Sequence, residues 1–201
     1  MALILSIIIP HKITGLNNKA LSINIESLLE NTTQDFELLI DTEVPRCPYT
    51  IWNEYAEIAK GEYLIFSNSD VIMAPGWDIN MVKYCDDNTI VVGYLAEAGN
   101  IGVAEANILI DFGKTPDVFR KYDFYLWSKA QNVPEVLKER GWYMPCCVKK
   151  EWFLSTGGFP TDLPFPNPND ILFWNHCVDV LGTTLLRVDS FAYHFQNLSG
   201  R

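Results

Sequence analysis

The sequence predicts an α/β fold in which helices flank a mainly parallel central sheet within a single domain. Short, continuous apolar runs alternate with segments of helical spacing through the first half of the chain, which is typical of parallel sheets with crossover helices. Polar residues follow directly where several of these runs end. A length of 201 residues is ordinary for one domain with one core.

The apolar runs give the strands in order. The run 3–9 is rich in β-branched residues and predicts a strand buried on both faces. Further strands are predicted over 36–40, 63–66 and 90–95, and helices over 20–29, over 51–59 and from Pro75 onward. Gly61 stands where a glycine commonly ends a helix, so we expect it to cap the second helix.

The second half has weaker signals. The segment 97–133 is rich in aromatic residues and mixed in period, and no element is assigned to it. A short helix is predicted over 134–140 and closed by Gly141, followed by a strand over 143–148 and a helical turn over 151–155. Four prolines predict an irregular loop over 159–169. A helix over 170–181 and strands over 184–188 and 191–195 complete the chain.

Charge and cysteine content exclude several classes of protein. The chain has 25 acidic and 15 basic residues, a net charge of −10, and no basic stripe of the kind that nucleic acids or anionic membranes require. No apolar run reaches the ~18 residues that span a bilayer. The five cysteines form no CxxC pair, which predicts reduced thiols and a cytoplasmic location.

Three polar segments follow predicted strands: Pro10-His11-Lys12, Asp41 and Asn68-Ser69-Asp70. Ligands of open α/β sheets bind outside the carboxyl ends of the strands, so this edge is the predicted site. A carboxylate such as Asp70 in this position is a suitable ligand for Mg²⁺ or Mn²⁺, although aspartate is also a common turn residue.

Several motifs in a fixed order resemble a family 2 glycosyltransferase of GT-A fold. They are SIIIP at 6–10, SLLENT, FELLID, AKGEYLIFSNSDVIMAPGW, STGGF and a later helix that starts with ND. The resemblance implies one GT-A domain, with a nucleotide-sugar-binding half over 1–96 and an acceptor-binding half over 97–201. It also implies a nucleotide-sugar donor, a glycan or other hydroxyl acceptor, and Mn²⁺ or Mg²⁺ as cofactor.

The resemblance assigns the turn after the third strand to the DxD motif of the family. Asp70 is then the cation ligand, and Asn68, which replaces the first aspartate, contacts ribose or sugar together with Ser69. A histidine near the end of the domain completes the metal site in several GT-A enzymes, and His194 matches it. The alternative for His194 is a buried histidine without a ligand role.

Other donor-binding residues are implied by the same resemblance. Asp41 accepts a hydrogen bond from the nucleotide base, typically uracil, and the turn Pro10-His11-Lys12 flanks that base. The alternatives are a turn or helix-flanking aspartate for Asp41 and a solvated loop for His11 and Lys12. Asn53 matches a family asparagine, but only 11 residues separate it from Asp41 and the usual neighbouring arginine is missing, with Arg46 as a candidate replacement.

The acceptor side is implied by the last two motifs. Asn169-Asp170 matches the ED pair with glutamate replaced, so Asp170 is the implied general base, and Gly157 and Gly158 with Asn169 shape the acceptor side. The alternatives are helix capping for Asp170 and a helix stop for the glycines. A helix N-terminus favours the ionised carboxylate that a base requires.

These assignments predict an inverting, cation-dependent glycosyltransferase whose donor is a UDP-sugar. A non-catalytic nucleotide-sugar or carbohydrate-binding domain is the alternative, because both acidic pairs are altered. A sugar-1-phosphate nucleotidyltransferase lacks support, since no glycine-rich basic loop follows the first strand. The chain ends soon after His194 without the tail helices or membrane segment of the family. One expectation is therefore a domain of a longer protein, as in large DNA viruses, where the location would be the host cytoplasm.

Overall fold

The computed structural model describes residues 4–42, 46–99, 108–138, 145–161 and 169–195. The strands in this part of the chain are β1 (Leu5–Pro10), β2 (Phe36–Asp41), β3 (Tyr63–Phe66), β4 (Val71–Met73), β5 (Thr89–Glu97), β6 (Ile108–Leu109), β7 (Val136–Lys138), β8 (Cys146–Lys149) and β9 (Thr184–His194). The helices are α1 (Gly15–Asn31), α2 (Pro48–Ile58), α3 (Trp77–Tyr84), α4 (Lys121–Lys129), α5 (Lys150–Ser155) and α6 (Asn169–Asp179), with a 3₁₀ turn at Pro116–Val118.

The described strands join one sheet in the order β2-β1-β3-β8-β5-β9-β4, and β6 and β7 pair with β5 and β9. β1 lies parallel to both β2 and β3, and β5 lies parallel to β9, while β8 runs antiparallel between β3 and β5. Helices cover both faces, and this confirms the predicted α/β class with a central sheet between helices. β8 and β9 come from the second half of the sequence and insert among strands of the first.

Both faces of the sheet are buried, as the continuous apolar runs predict. Ile8 faces a cluster that contains Trp52 of α2 and Phe153 of α5. Its neighbours in β1, Ile7 and Ile9, face the opposite cluster, where α1 and α3 pack. Since successive residues of β1 point to opposite layers, apolar residues are needed on both faces of the strand.

Helix α1 shields the edge strand β4 with polar side chains. The Asn31 side chain donates to the Met73 carbonyl at 2.8 Å, and the Met73 amide donates to the Ser27 hydroxyl at 3.0 Å. The Asn24 side chain donates to the Val71 carbonyl. These side chains form hydrogen bonds with the backbone groups of β4 on the edge where no described strand pairs with it. The turn before β4 is therefore held in a fixed position.

Two predicted elements are corrected by the structure. Val136–Lys138 is strand β7, paired antiparallel with β9, so the predicted helix over 134–140 is wrong. The segment is too short for its helical spacing to outweigh pairing with a neighbouring strand. The two late strands are one continuous strand, β9, whose register against β5 shifts between Val92 and Tyr94.

Gly61 does not cap α2, which ends with a cap at Ala59. A Cβ atom at Gly61 would lie 2.6 Å from the Leu5 carbonyl carbon, and the Gly61 amide donates to the Ser6 hydroxyl at 2.8 Å. The glycine is therefore required where the chain passes close to β1.

Strand β3 is present with its predicted ends, and the other predicted strands and helices are present with shifted ends. The unassigned segment contains β6, the 3₁₀ turn and α4. Gly141, the start of the predicted strand 143–148 and most of the proline loop lie outside the described residues. Within the described residues no helix is both long and apolar enough to cross a membrane.

Candidate functional site

The predicted polar segments meet at one edge of the sheet. The His11 amide, directly after β1, donates to the Asp41 carbonyl at the end of β2 at 2.9 Å. On the other side of β1, the Ser67 amide donates to the Ile8 carbonyl at 3.2 Å, which fixes the turn after β3. Adjacent parallel strands therefore place the three segments side by side, as their pattern predicts.

Asp70, Glu97 and His194, here called the strand-end cluster, form a chain of contacts at this edge. His194 Nδ1 lies 2.7 Å from Glu97 Oε1, and His194 Nε2 lies 3.5 Å from Asp70 Oδ2. Strand pairing sets both contacts, because His194 of β9 is in register with Glu97 of β5 and with Val71 of β4. The Phe195 amide also donates to the Asp70 carbonyl at 3.0 Å.

The strand-end cluster holds two carboxylates around one imidazole in a mostly buried setting. The Glu97 side chain is 2% exposed, and those of His194 and Asp70 are 15% and 14% exposed. Burial lowers the pKa of His194, but the neighbouring carboxylates of Asp70 and Glu97 outweigh it and raise that pKa to about 9. The site therefore attracts positive charge strongly.

The donor atoms of Asp70 and His194 suit a divalent cation that also binds a substrate phosphate. Among the described residues no group of three or more His, Cys, Asp or Glu side chains is arranged to hold a metal ion. Mg²⁺ commonly takes only one or two carboxylates and completes its shell with substrate phosphates and water, and Mn²⁺ also accepts imidazole. The 3.5 Å between Nε2 and Oδ2 exceeds a charge-assisted hydrogen bond and leaves both atoms able to ligate one ion.

Asp41 lies in an ion pair at the end of β2. Its side chain is 1% exposed and accepts a hydrogen bond at 2.8 Å from Arg46, which also pairs with Glu54 of α2. Next to it, His11 Nε2 lies 2.9 Å from Asn18 Oδ1. The predicted base-binding carboxylate is thus already held in one orientation by a neighbouring guanidinium.

The other predicted donor-binding residues, apart from Asn53, lie at the same edge of the sheet. Pro10 is the last residue of β1, Lys12 is exposed, and the Lys12 carbonyl accepts a hydrogen bond from Asn17 at 3.0 Å. Ser69 is buried in the turn after β3, and the Asn68 carbonyl accepts from the Val71 amide at 3.4 Å. Their roles toward a ligand stay predictions.

Asp170 lies in the first turn of α6 and contacts Tyr49 of α2; these two residues are here called the helix-start pair. Asp170 Oδ1 accepts from the Ile171 amide at 2.9 Å, and the Tyr49 hydroxyl is hydrogen-bonded to the Asp170 side chain. Burial and then the charge of Asp170 raise the pKa of Tyr49. Burial and then the charge of Asp170 raise the pKa of Cys146, which pairs with Phe66 at the end of β3. Tyr49 of the helix-start pair belongs to the same buried cluster as Phe66.

The glycine pair adjoins Asn53. Gly157 and Gly158 have φ angles of +84° and +76°, which favour glycine. The Asn53 side chain donates to the Phe159 carbonyl at 2.8 Å and accepts from the Phe159 amide at 2.9 Å. A cavity of about 480 Å³ opens beside these residues and continues along α6 to His176. The structure thus places Asn53 with the predicted acceptor-side glycines, and Asn169 is the first residue of α6.

Sequence reasoning missed Glu97 and Tyr49. Glu97 ends an apolar strand, as Asp41 does, so the same signal of an acid after a buried run would have found it. Tyr49 begins α2 and carries no such signal, because its contact with Asp170 depends on how α2 and α6 pack.

No model of a known protein family matches the chain, and no curated protein does. Among solved structures 135 chains match. One is the crystal structure of GalNAc-T7 with UDP, GalNAc and Mn²⁺, with a TM-score of 0.67 and 12% sequence identity. The match covers 96% of this chain and 44% of the GalNAc-T7 chain, so this chain spans less than half the length of GalNAc-T7. At this identity the likeness shows the fold alone, which is the GT-A fold.

Proposed function

We propose that the protein is an inverting glycosyltransferase, similar to family 2, that transfers a sugar from a UDP-sugar to a hydroxyl acceptor. The observation that carries the proposal is the contact between Asp70 and His194 at the carboxyl edge of a GT-A sheet. GalNAc-T7, which has a similar fold, was crystallised with UDP and Mn²⁺. This supports a nucleotide-sugar donor and a divalent cation here.

Donor binding is assigned to the residues that follow β1, β2 and β3. Asp41 accepts a hydrogen bond from the nucleotide base, which the turn Pro10-His11-Lys12 flanks, and Arg46 orients its carboxylate. Asn68 and Ser69 contact ribose or sugar. Asn53 also stays a donor-side candidate, although its contacts with Phe159 connect it to the glycine pair.

Asp70 and His194 would hold Mn²⁺ or Mg²⁺, because their oxygen and imidazole donors face each other in an acidic setting. When bound there, the cation would supply positive charge against the departing diphosphate. The net charge of −10 and the few basic residues at this edge make that contribution necessary.

Transfer is assigned to Asp170. Its carboxylate takes the proton of the acceptor hydroxyl, the acceptor oxygen forms a bond to the anomeric carbon, and the bond to the diphosphate breaks with the electron pair leaving on phosphate oxygen. This single displacement inverts the anomeric centre. Gly157, Gly158 and Asn169 shape the acceptor side, where the acceptor is a glycan or another hydroxyl compound.

The test is turnover of UDP-, GDP- and dTDP-sugars with Mn²⁺, repeated with EDTA and with Asp70→Ala. We expect UDP release with the native chain and its loss in EDTA, since the basic side chains alone do not neutralise a diphosphate. Asp70→Ala should lose Mn²⁺-dependent UDP binding in calorimetry. Activity that EDTA leaves unchanged would exclude the cation-dependent mechanism.

A binding domain without catalysis is the second candidate, because Asn68 and Asn169 stand where the family has acids. It predicts intact UDP binding without release of UDP from any donor. The same assays separate the two candidates, and the predicted cytoplasmic location applies to both.

A further inference from the structure

We propose that Glu97 is a positioning residue that fixes the tautomer of His194, so that Nε2 is presented to the cation beside Asp70. This inference rests on the proposed function, because it concerns the cation assigned there. Glu97 contacts Nδ1 of the imidazole, whereas Asp70 lies near Nε2. Glu97 is therefore not placed to ligate the ion that Nε2 and Asp70 would bind.

The carboxylate of Glu97 decides where the imidazole proton lies. An ionised carboxylate only accepts hydrogen bonds, so the 2.7 Å contact with Nδ1 requires a proton on Nδ1. Loss of the other ring proton then leaves the lone pair on Nε2, the form that ligates metals. Without Glu97, Asp70 is the carboxylate that remains in the strand-end cluster, and it would favour a proton on Nε2, which blocks the ligand position.

The backbone makes this arrangement rigid. Glu97 and His194 are directly paired residues of the parallel strands β5 and β9, and the Glu97 carbonyl accepts from the Ile110 amide at 2.9 Å. The Glu97 side chain is 2% exposed, which excludes the competing water that weakens a surface contact. A carboxylate that orients a metal-binding histidine through its second nitrogen commonly contributes about 10- to 100-fold in metal affinity.

The first test measures Mn²⁺ binding in the presence of UDP by electron paramagnetic resonance, for the native chain, Glu97→Gln, His194→Ala and Glu135→Gln. Glutamine keeps the shape, but its amide can donate to Nδ1 and so move the proton to Nε2. We expect Glu97→Gln to weaken Mn²⁺ binding about 10- to 100-fold. Glu135→Gln is the matched control, since it removes an exposed carboxylate that pairs with Lys83 and should leave binding unchanged.

Native affinity in Glu97→Gln would overturn the role of Glu97 and leave the proposed function intact. Equal Mn²⁺ binding by the native chain and His194→Ala would instead overturn the cation assignment itself.

A second test needs no variant of Glu97. The chain has three histidines, so the two ring nitrogens of His194 can be assigned by long-range ¹H–¹⁵N NMR with Mg²⁺ and UDP. We expect a proton on Nδ1 and none on Nε2. A proton on Nε2 in the Mg²⁺-loaded protein would overturn the proposal.

Discussion

The strand-end cluster and the helix-start pair each hold one predicted functional aspartate, but by different means. Asp70 directly precedes β4, and its partner His194, from a distant part of the sequence, is paired in β9 with the next residue, Val71. Asp170 lies in the first turn of a helix, and its partner Tyr49 reaches it from another helix. One aspartate is fixed by the sheet, and the other by helix packing.

This difference assigns separate tasks to the two regions. A cation ligand must remain in place while phosphates exchange, and paired strands provide that rigidity. A general base only needs to reach one hydroxyl, and the helix N-terminus keeps it ionised. We therefore expect changes in the strand-end cluster to alter cation binding, and changes in the helix-start pair to alter transfer alone.

The largest expected effect is that of Asp170→Asn, which tests this separation directly. Asparagine can still accept from the Ile171 amide but cannot take a proton, so the transfer rate should fall by about 10²- to 10⁴-fold. Mn²⁺ and UDP affinities, measured by calorimetry, should stay native. Full transfer activity would remove Asp170 from the mechanism. Weakened Mn²⁺ binding would show that cation binding and transfer are not separate tasks of the two regions.

An intermediate effect is expected at the glycine pair that precedes α6. Alanine at Gly157 or Gly158 must adopt a left-handed conformation, which costs about 1–2 kcal/mol at either site. At Gly158 the added Cβ would also lie 2.5 Å from Asn53 Oδ1, whereas no described residue lies within 4 Å of a Cβ added at Gly157. Displacing Asn53 breaks its hydrogen bonds with the Phe159 backbone, for about 1–3 kcal/mol more.

Gly157→Ala is thus the matched control for Gly158→Ala. Urea unfolding should show a lower free energy of unfolding for Gly158→Ala than for Gly157→Ala. Equal values would mean that the Asn53 contact does not stabilise the loop before the helix-start pair.

The fold was predictable where a strand is a continuous apolar run that is mostly buried between the two helix layers. Strand β3 was predicted residue for residue, because both layers of the sheet require apolar side chains there. Strand β7 was not, because it is a three-residue edge segment whose identity depends on pairing with β9. The buried face of α1 was also not predictable from apolar spacing. Its asparagines and a serine form hydrogen bonds with the edge of β4 instead of packing in an apolar core.

The candidate site was predictable to the same extent. Asp41 and Asp70 come at the ends of apolar runs, so their common edge could be inferred from position alone. Glu97 and Arg46 gain their significance from contacts with His194 and Asp41, and these contacts exist only after strand register and loop path are set.

The smallest expected effect is that of Tyr49→Phe, which tests the helix-start pair without changing Asp170 itself. The change removes one hydrogen bond to Asp170 and keeps the buried ring, so we expect kcat to fall by about 2- to 10-fold, as for a net loss of about 0.5–1.5 kcal/mol. KM for the donor and Mn²⁺ affinity should not change, because the strand-end cluster is untouched. The matched control is Tyr84→Phe, which removes a hydrogen bond of 2.8 Å to the exposed carboxylate of Glu135. Equal kcat values for the two variants would show that Tyr49 only fills space, and that the helix N-terminus alone orients Asp170.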